Sequence, residues 1–199
     1  MKTLLSAAAL ALVYALPASA PSQATASPVR VVMETDLGEI EIEVDAAHAP
    51  ATAANFLAYV DKGLYDGGRF HRTVRPDNQV SRPVKIAVIQ GAANASRAGE
   101  FLPPIPLERT SVTGLRHVDG AVSMARSAPD SATDEFFVCI GDQPALDFGG
   151  ARNPDGQGFA VFGRVSRGLD VARRIQMAGA VGERLTPPIA IRSARRLGR

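Results

Sequence analysis

Tryptophan is absent from the chain, cysteine occurs once and histidine three times. A lone cysteine, Cys139, rules out an intrachain disulfide, so stability rests on the apolar core. It sits in the apolar run Phe136-Phe137-Val138-Cys139-Ile140, the setting of a buried, inert thiol. His48, His71 and His117 lie far apart with no paired ligand spacing, which argues against a zinc site. Asp130, Asp134, Asp142 and Asp155 occupy polar stretches that do not follow the calcium-loop spacing. A G-x-S-x-G nucleophile turn is missing, and the pairs Gly149/Gly150 and Gly156/Gly158 do not form a phosphate loop. Neither sign of charge dominates either. The net is +2, and the arginines at 192–199 read as a solvated terminus, not a nucleic-acid arm.

Long apolar runs are missing too. The one candidate, residues 4–16, is shorter than the ~18–20 residues a membrane helix needs. It follows Lys2 and precedes the small residues Ala18-Ser19-Ala20 and Ala24-Thr25-Ala26. That order is the pattern of a secretory signal peptide. The expectation is a signal over residues 1–26, cut between 20 and 26, and a single domain over 27–199. The mature protein would be exported to the periplasm or secreted, with no stable membrane anchor.

What is present is mostly short strand text divided by turns. Residues 29–35 are rich in β-branched types, 36–39 read as a hairpin turn, and Ile40, Ile42 and Val44 alternate with Glu39, Glu41 and Glu43. A helix is expected from Pro50, with Thr52 placed to help cap it, an apolar stripe of Phe56, Leu57, Tyr59 and Val60, and Gly63 as its stop. Further strands are expected at 69–75, 86–90, 121–125, 136–140, 159–165 and 189–197, and a second helix at 169–177. Many strands and few helices predict a mainly β protein: a closed antiparallel barrel with helices over its ends. Residues 127–134 and 141–158 are long polar loops, where function tends to sit.

The segments "LYDGGRFHR", "IAVIQGA", "GAVSMARSAPDSATDEFFVCIGDQPALD" and "GFAVFGRVSRGLDVARRI" occur in order across nearly all of the mature chain. Together they resemble the cyclophilin family of peptidyl-prolyl cis-trans isomerases, most closely its bacterial exported members. The resemblance implies an eight-stranded barrel capped by two α-helices. It implies an activity without metal or cofactor on proline-containing polypeptides, assisting their folding, by a monomer that binds no nucleic acid. A weakly catalytic peptide-binding or chaperone module is the alternative.

By the same resemblance Arg72 is the catalytic residue. Gln90 binds a substrate carbonyl and braces Arg72. Phe137 floors a proline pocket walled by Leu146 and Phe159, and the backbone at Ala125 and Arg126 pairs with the peptide. Four differences from the family pattern stand out. Residues 76–85 read as an inserted loop. Ala87-Val88 replaces a Phe-Met pair, which predicts that Val88 meets substrate in a wider or refilled pocket. Glu135 replaces a glutamine, and is expected beside the substrate and paired with Arg72 or Arg126. Ala145 replaces the tryptophan associated with cyclosporin binding, so cyclosporin should bind weakly, with no sub-micromolar affinity by calorimetry.

Overall fold

The computed structural model describes residues 28–198, so the expected signal segment lies outside the described residues. The described residues form nine strands: β1 (Val29–Thr35), β2 (Gly38–Val44), β3 (Gly68–Val74), β4 (Val88–Ala92), β5 (Ala121–Met124), β6 (Phe136–Cys139), β7 (Ala160–Arg167), β8 (Ala180–Val181) and β9 (Arg184–Arg196). They pair antiparallel in the order β1-β2-β7-β5-β6-β4-β3-β9, and β1 also pairs with β9. That pairing closes an eight-stranded barrel and leaves it no edge. β8 is a short extra strand that pairs with β9 alone. Helix α1 (Pro50–Asp61) packs on β7 and β9, and α3 (Leu169–Gln176) packs on β2, β3 and β4. A single helical turn, α2 (Thr110–Thr113), precedes β5. Among the described residues no helix is long and apolar enough to cross a membrane.

Strand alternation divides the apolar residues into two sets. Phe70, Ile89, Val122, Met124, Phe136, Val138 and Phe162 fill the barrel together with Phe56, Tyr59 and Tyr65. Val74, Val88, Ala121, Phe137, Cys139 and Val161 face outward and form a second cluster with Ile86 and Leu146. Packing inside is tight enough to demand a glycine. A β-carbon at Gly91 would lie 2.9 Å from Cζ of Phe136. Cys139 is buried on the outer wall, and burial pushes its thiol far above the usual range, which keeps it unreactive.

Two expected boundaries shift, and one cap changes hands. The last strand begins at Arg184, five residues before the expected start, and contains Pro187 and Pro188. The prolines fall between the Arg72↔Arg184 and Phe70↔Ile189 pairs, where the ladder to β3 is interrupted anyway. β4 starts two residues late because Gln79 of the insertion accepts from the Ile86 amide and donates to its carbonyl. Thr52 does not cap α1. The Glu108 carboxylate accepts from the Ala51 and Thr52 amides at 3.1 and 2.8 Å, while the buried Thr52 hydroxyl has no partner among the described residues.

Candidate active site

Arg72 faces outward because of a bulge. Phe70 pairs with Gly91 and Arg72 with Gln90, so His71 is an extra residue on β3. Residues i and i+2 of a regular strand share a face. The bulge breaks that rule, so Phe70 enters the core while Arg72 points out, a common use of bulges beside active sites. Gln90 faces outward by ordinary alternation, one residue after the buried Ile89. The register then lines up Arg72, Gln90, Phe137, Ser123 and Val161 across five adjacent strands.

This row borders a hollow of about 170 Å³ lined by Arg72, Val88, Gln90, Ala125, Arg126, Phe137, Leu146 and Phe159, and also by Arg82, Ile86, Arg152 and Asn153. An apolar cavity of about 150 Å³ accepts a benzene molecule, so a five-membered ring fits this volume. Phe137 forms the floor, with the ring of Phe159 standing across it at 89° and 5.4 Å between centroids. The expected site residues thus meet in one place, with one exception. Glu135 lies outside the hollow and pairs with neither arginine. Its carboxylate accepts from Nε2 of Gln90 and sits 3.7 Å from Nε2 of His71. His71 foremost, then Gln90 and Arg72, hold that carboxyl below its ordinary value, against the upward push of burial.

The guanidinium of Arg72 is held on two sides. Nη1 donates to Oε1 of Gln90 at 2.8 Å. Nε and Nη2 both donate to Oε2 of Glu183, at 2.9 and 2.5 Å. A guanidinium has five N–H donors, so among the described residues two remain for a ligand. The Gln90 amide is itself fixed, since its nitrogen donates to Glu135 and its oxygen must then face Arg72. Glu183 was not read from the sequence. It lies 111 positions away, in the turn between β8 and β9, and no local pattern connects it to Arg72. The pair is partly exposed, with side chains 34% and 26% accessible, so it is worth at most about 1 kcal/mol. Glu183→Ala should therefore lower kcat about fivefold at most with KM nearly unchanged, and Glu183→Gln should lose less. Steady-state kinetics on an X-Pro peptide checks both.

Arg126 is more fully engaged. Its side chain is 1% exposed, binds both oxygens of Asp155, donates to the Gly158 carbonyl and lies over the Phe159 ring at 5.0 Å. It pins the 153–158 loop beside the hollow. The Ala125 amide is taken by the Glu135 carbonyl, so an added peptide strand has to pair with other backbone groups.

Behind the floor lies a set of residues that the sequence did not suggest as a unit. His117 stacks on Phe137 at 11°. Its Nδ1 lies 2.8 Å from Asp147 and its Nε2 3.0 Å from Oγ of Ser123. A carboxylate only accepts, so Nδ1 carries the proton and the Ser123 hydroxyl donates to Nε2. The arrangement matches a serine-hydrolase triad in its bonds, but Ser123 is fully buried and its oxygen meets no substrate. The set supports Phe137. Burial lowers the affinity of His117 for a proton, against the raising effect of Asp147. The unfolded chain therefore binds more protons than the folded one just below pH 6.5. Stability should be fully present above pH 6.5 and fall as pH drops through the window below it. Urea melts between pH 5 and 7 check this slope, which should flatten in His117→Gln.

Comparison with known proteins agrees with this geometry. Residues 30–196 match the family model described as cyclophilin type peptidyl-prolyl cis-trans isomerase. The chain is 33% identical over 194 residues to peptidyl-prolyl cis-trans isomerase A of Dickeya dadantii, covering 94% of this chain and 95% of that protein. It is 35% identical over 174 residues to peptidyl-prolyl cis-trans isomerase cyp18 of Streptomyces antibioticus, covering 84% and 98%. The fold is similar to the crystal structure of a cyclophilin-type isomerase from Cryptosporidium parvum, with a TM-score of 0.68 at 18% identity over 86% of this chain and 99% of that one. With the barrel, the matched segments and the relatives in agreement, the chain belongs to the cyclophilin-type peptidyl-prolyl cis-trans isomerase family.

Proposed function

We propose that this protein is exported and catalyses rotation about X-Pro bonds in unfolded or partly folded polypeptides, so assisting their folding. One observation carries the reading: a fixed guanidinium with two unused donors stands beside a ring-sized hollow with the Phe137 and Phe159 rings in its lining. An X-Pro bond turns slowly because twisting it breaks amide resonance, at a barrier of about 20 kcal/mol. In the twisted state the prolyl nitrogen regains a lone pair. Arg72 donates to that nitrogen and so binds the twisted state better than the planar one. The hollow holds the ring, and Gln90 both orients Arg72 and meets a substrate carbonyl. No proton leaves the substrate and no covalent bond forms. Exchange spectroscopy on an X-Pro peptide tests the reading: a rate above the uncatalysed one supports it, and no enhancement at stoichiometric protein overturns it. Export rests on the N-terminal sequence pattern, and the mass of the protein recovered from periplasm or medium tests it.

The reading as a peptide-binding module keeps one favourable observation, that Arg82 and Ile86, of and beside the insertion, line the hollow. It expects peptide affinity that ignores Arg72→Ala and weakens when 76–85 is deleted.

A further inference from the structure

The residues lining the hollow include four arginines, Arg72, Arg82, Arg126 and Arg152, and no carboxylate. Two of the four charges are balanced by neighbours outside the lining, Arg72 by Glu183 and Arg126 by Asp155. The other two are not. Nη1 of Arg152 donates to neutral acceptors, Oε1 of Gln79 at 2.7 Å and the Val84 carbonyl at 2.6 Å. The exposed guanidinium of Arg82 pairs with no carboxylate among the described residues.

Both loops are built to bring these charges to the mouth. In the insertion, Gln79 is buried and ties to the Arg75 carbonyl and to both backbone groups of Ile86, which fixes the loop that presents Arg82. On the opposite loop the Arg152 amide donates to the Ala145 carbonyl. Burial, then repulsion from Arg82 and Arg72, weakens the hold of Arg152 on its proton, while Glu183 acts the other way. Two like charges converging on one hollow without a carboxylate in its lining cost free energy in the free protein. A negative group supplied by the substrate relieves that cost.

Resting on the isomerase reading above, we infer that Arg82 and Arg152 select proline peptides that carry a carboxylate side chain next to the proline. Charges at the rim of a site act mainly on encounter and affinity and weaken with salt. The preference therefore belongs in KM more than in kcat.

The test uses the whole protein and short peptides with Glu, Ala or Lys immediately before the proline and, in a second series, immediately after it. In one series, kcat/KM for Glu should exceed that for Lys about tenfold at low salt, and the ratio should shrink towards one at about 1 M salt, where screening acts within ~3 Å. Arg82→Gln should cut the ratio at least threefold, and Arg82→Glu should invert it. Arg152→Gln should act in the same direction, but it also releases Val84 and Gln79, so the Arg82 variants decide, with thermal melts confirming that they fold. A ratio near one in the wild type, or one unmoved by both Arg82 variants, overturns the inference. If no peptide is turned over, the isomerase reading fails, and fluorescence anisotropy with the same labelled peptides still reads the charge preference directly.

Discussion

Arg72→Ala is expected to lower kcat/KM for an X-Pro peptide about 10²-fold while the barrel stays folded. Removing one donor from a site that stabilises developing charge costs about 2.7–4 kcal/mol, and each 1.36 kcal/mol is tenfold in rate. Arg72 is one-third exposed, so water partly replaces it and the lower end applies. Folding is spared because the side chain lies one-third exposed on the outer wall, Glu183 stays partly solvated, and the buried Gln90 keeps its bond to Glu135. Arg72→Lys should not restore the rate. A point charge cannot donate to Gln90 and Glu183 along two edges and still aim a third edge at the substrate. Exchange spectroscopy reads the rate and circular dichroism the fold. A loss below threefold would mean that the donor to the prolyl nitrogen lies elsewhere.

What the sequence discloses about this site depends on how far each signal travels along the chain. The barrel is legible because its strands are short β-rich runs between turns, and β2 carries its own alternation: Ile40, Ile42 and Val44 are buried as their spacing requires, whereas β5 and β6 are buried throughout. Helix α1 is legible from Phe56, Tyr59 and Val60. Eight of the twelve residues lining the hollow could be named through their family segments, but their convergence is produced by strand register. The bulge at His71 is invisible locally, since "GRFHRTV" scans as an ordinary strand that would send Phe70 and Arg72 to the same face. Long-range polar partners are equally hidden. Glu108 capping α1, Glu183 on Arg72 and the His117–Asp147 pair join residues 30 to 111 positions apart, and periodicity says nothing about them. Glu135 shows the limit from the other side. An acid placed near two arginines was expected to pair with one, yet Glu183 and Asp155 already hold both, so it turns to Gln90 and His71.

Phe136→Ala should cost about 3–5 kcal/mol of stability, the range for truncating a large core aromatic. The ring is fully buried and meets Phe56, Tyr65 and Phe70 edge-on, at centroid distances of 5.8, 5.5 and 5.7 Å. Three aromatic neighbours cannot close over the space without leaving their own contacts, so a cavity remains. Domains hold about 5–15 kcal/mol in all, and this one has no disulfide to fall back on. The melting temperature should fall by about 10 °C. Gly91 supplies a control. A methyl group there strikes the Phe136 ring first, at 2.9 Å, and Phe70 only at 3.2 Å. Gly91→Ala should therefore cost less in the Phe136→Ala background than in the wild type, a coupling that a double-mutant cycle reads directly. Phe137→Ala, one residue on, should behave differently. It faces the hollow, so its main loss should be affinity for the proline ring, with a smaller fall in stability. If Phe136→Ala melts within about 3 °C of the wild type, the barrel interior does not hold the mass of the core, and the division of inward and outward residues argued from strand alternation fails with it.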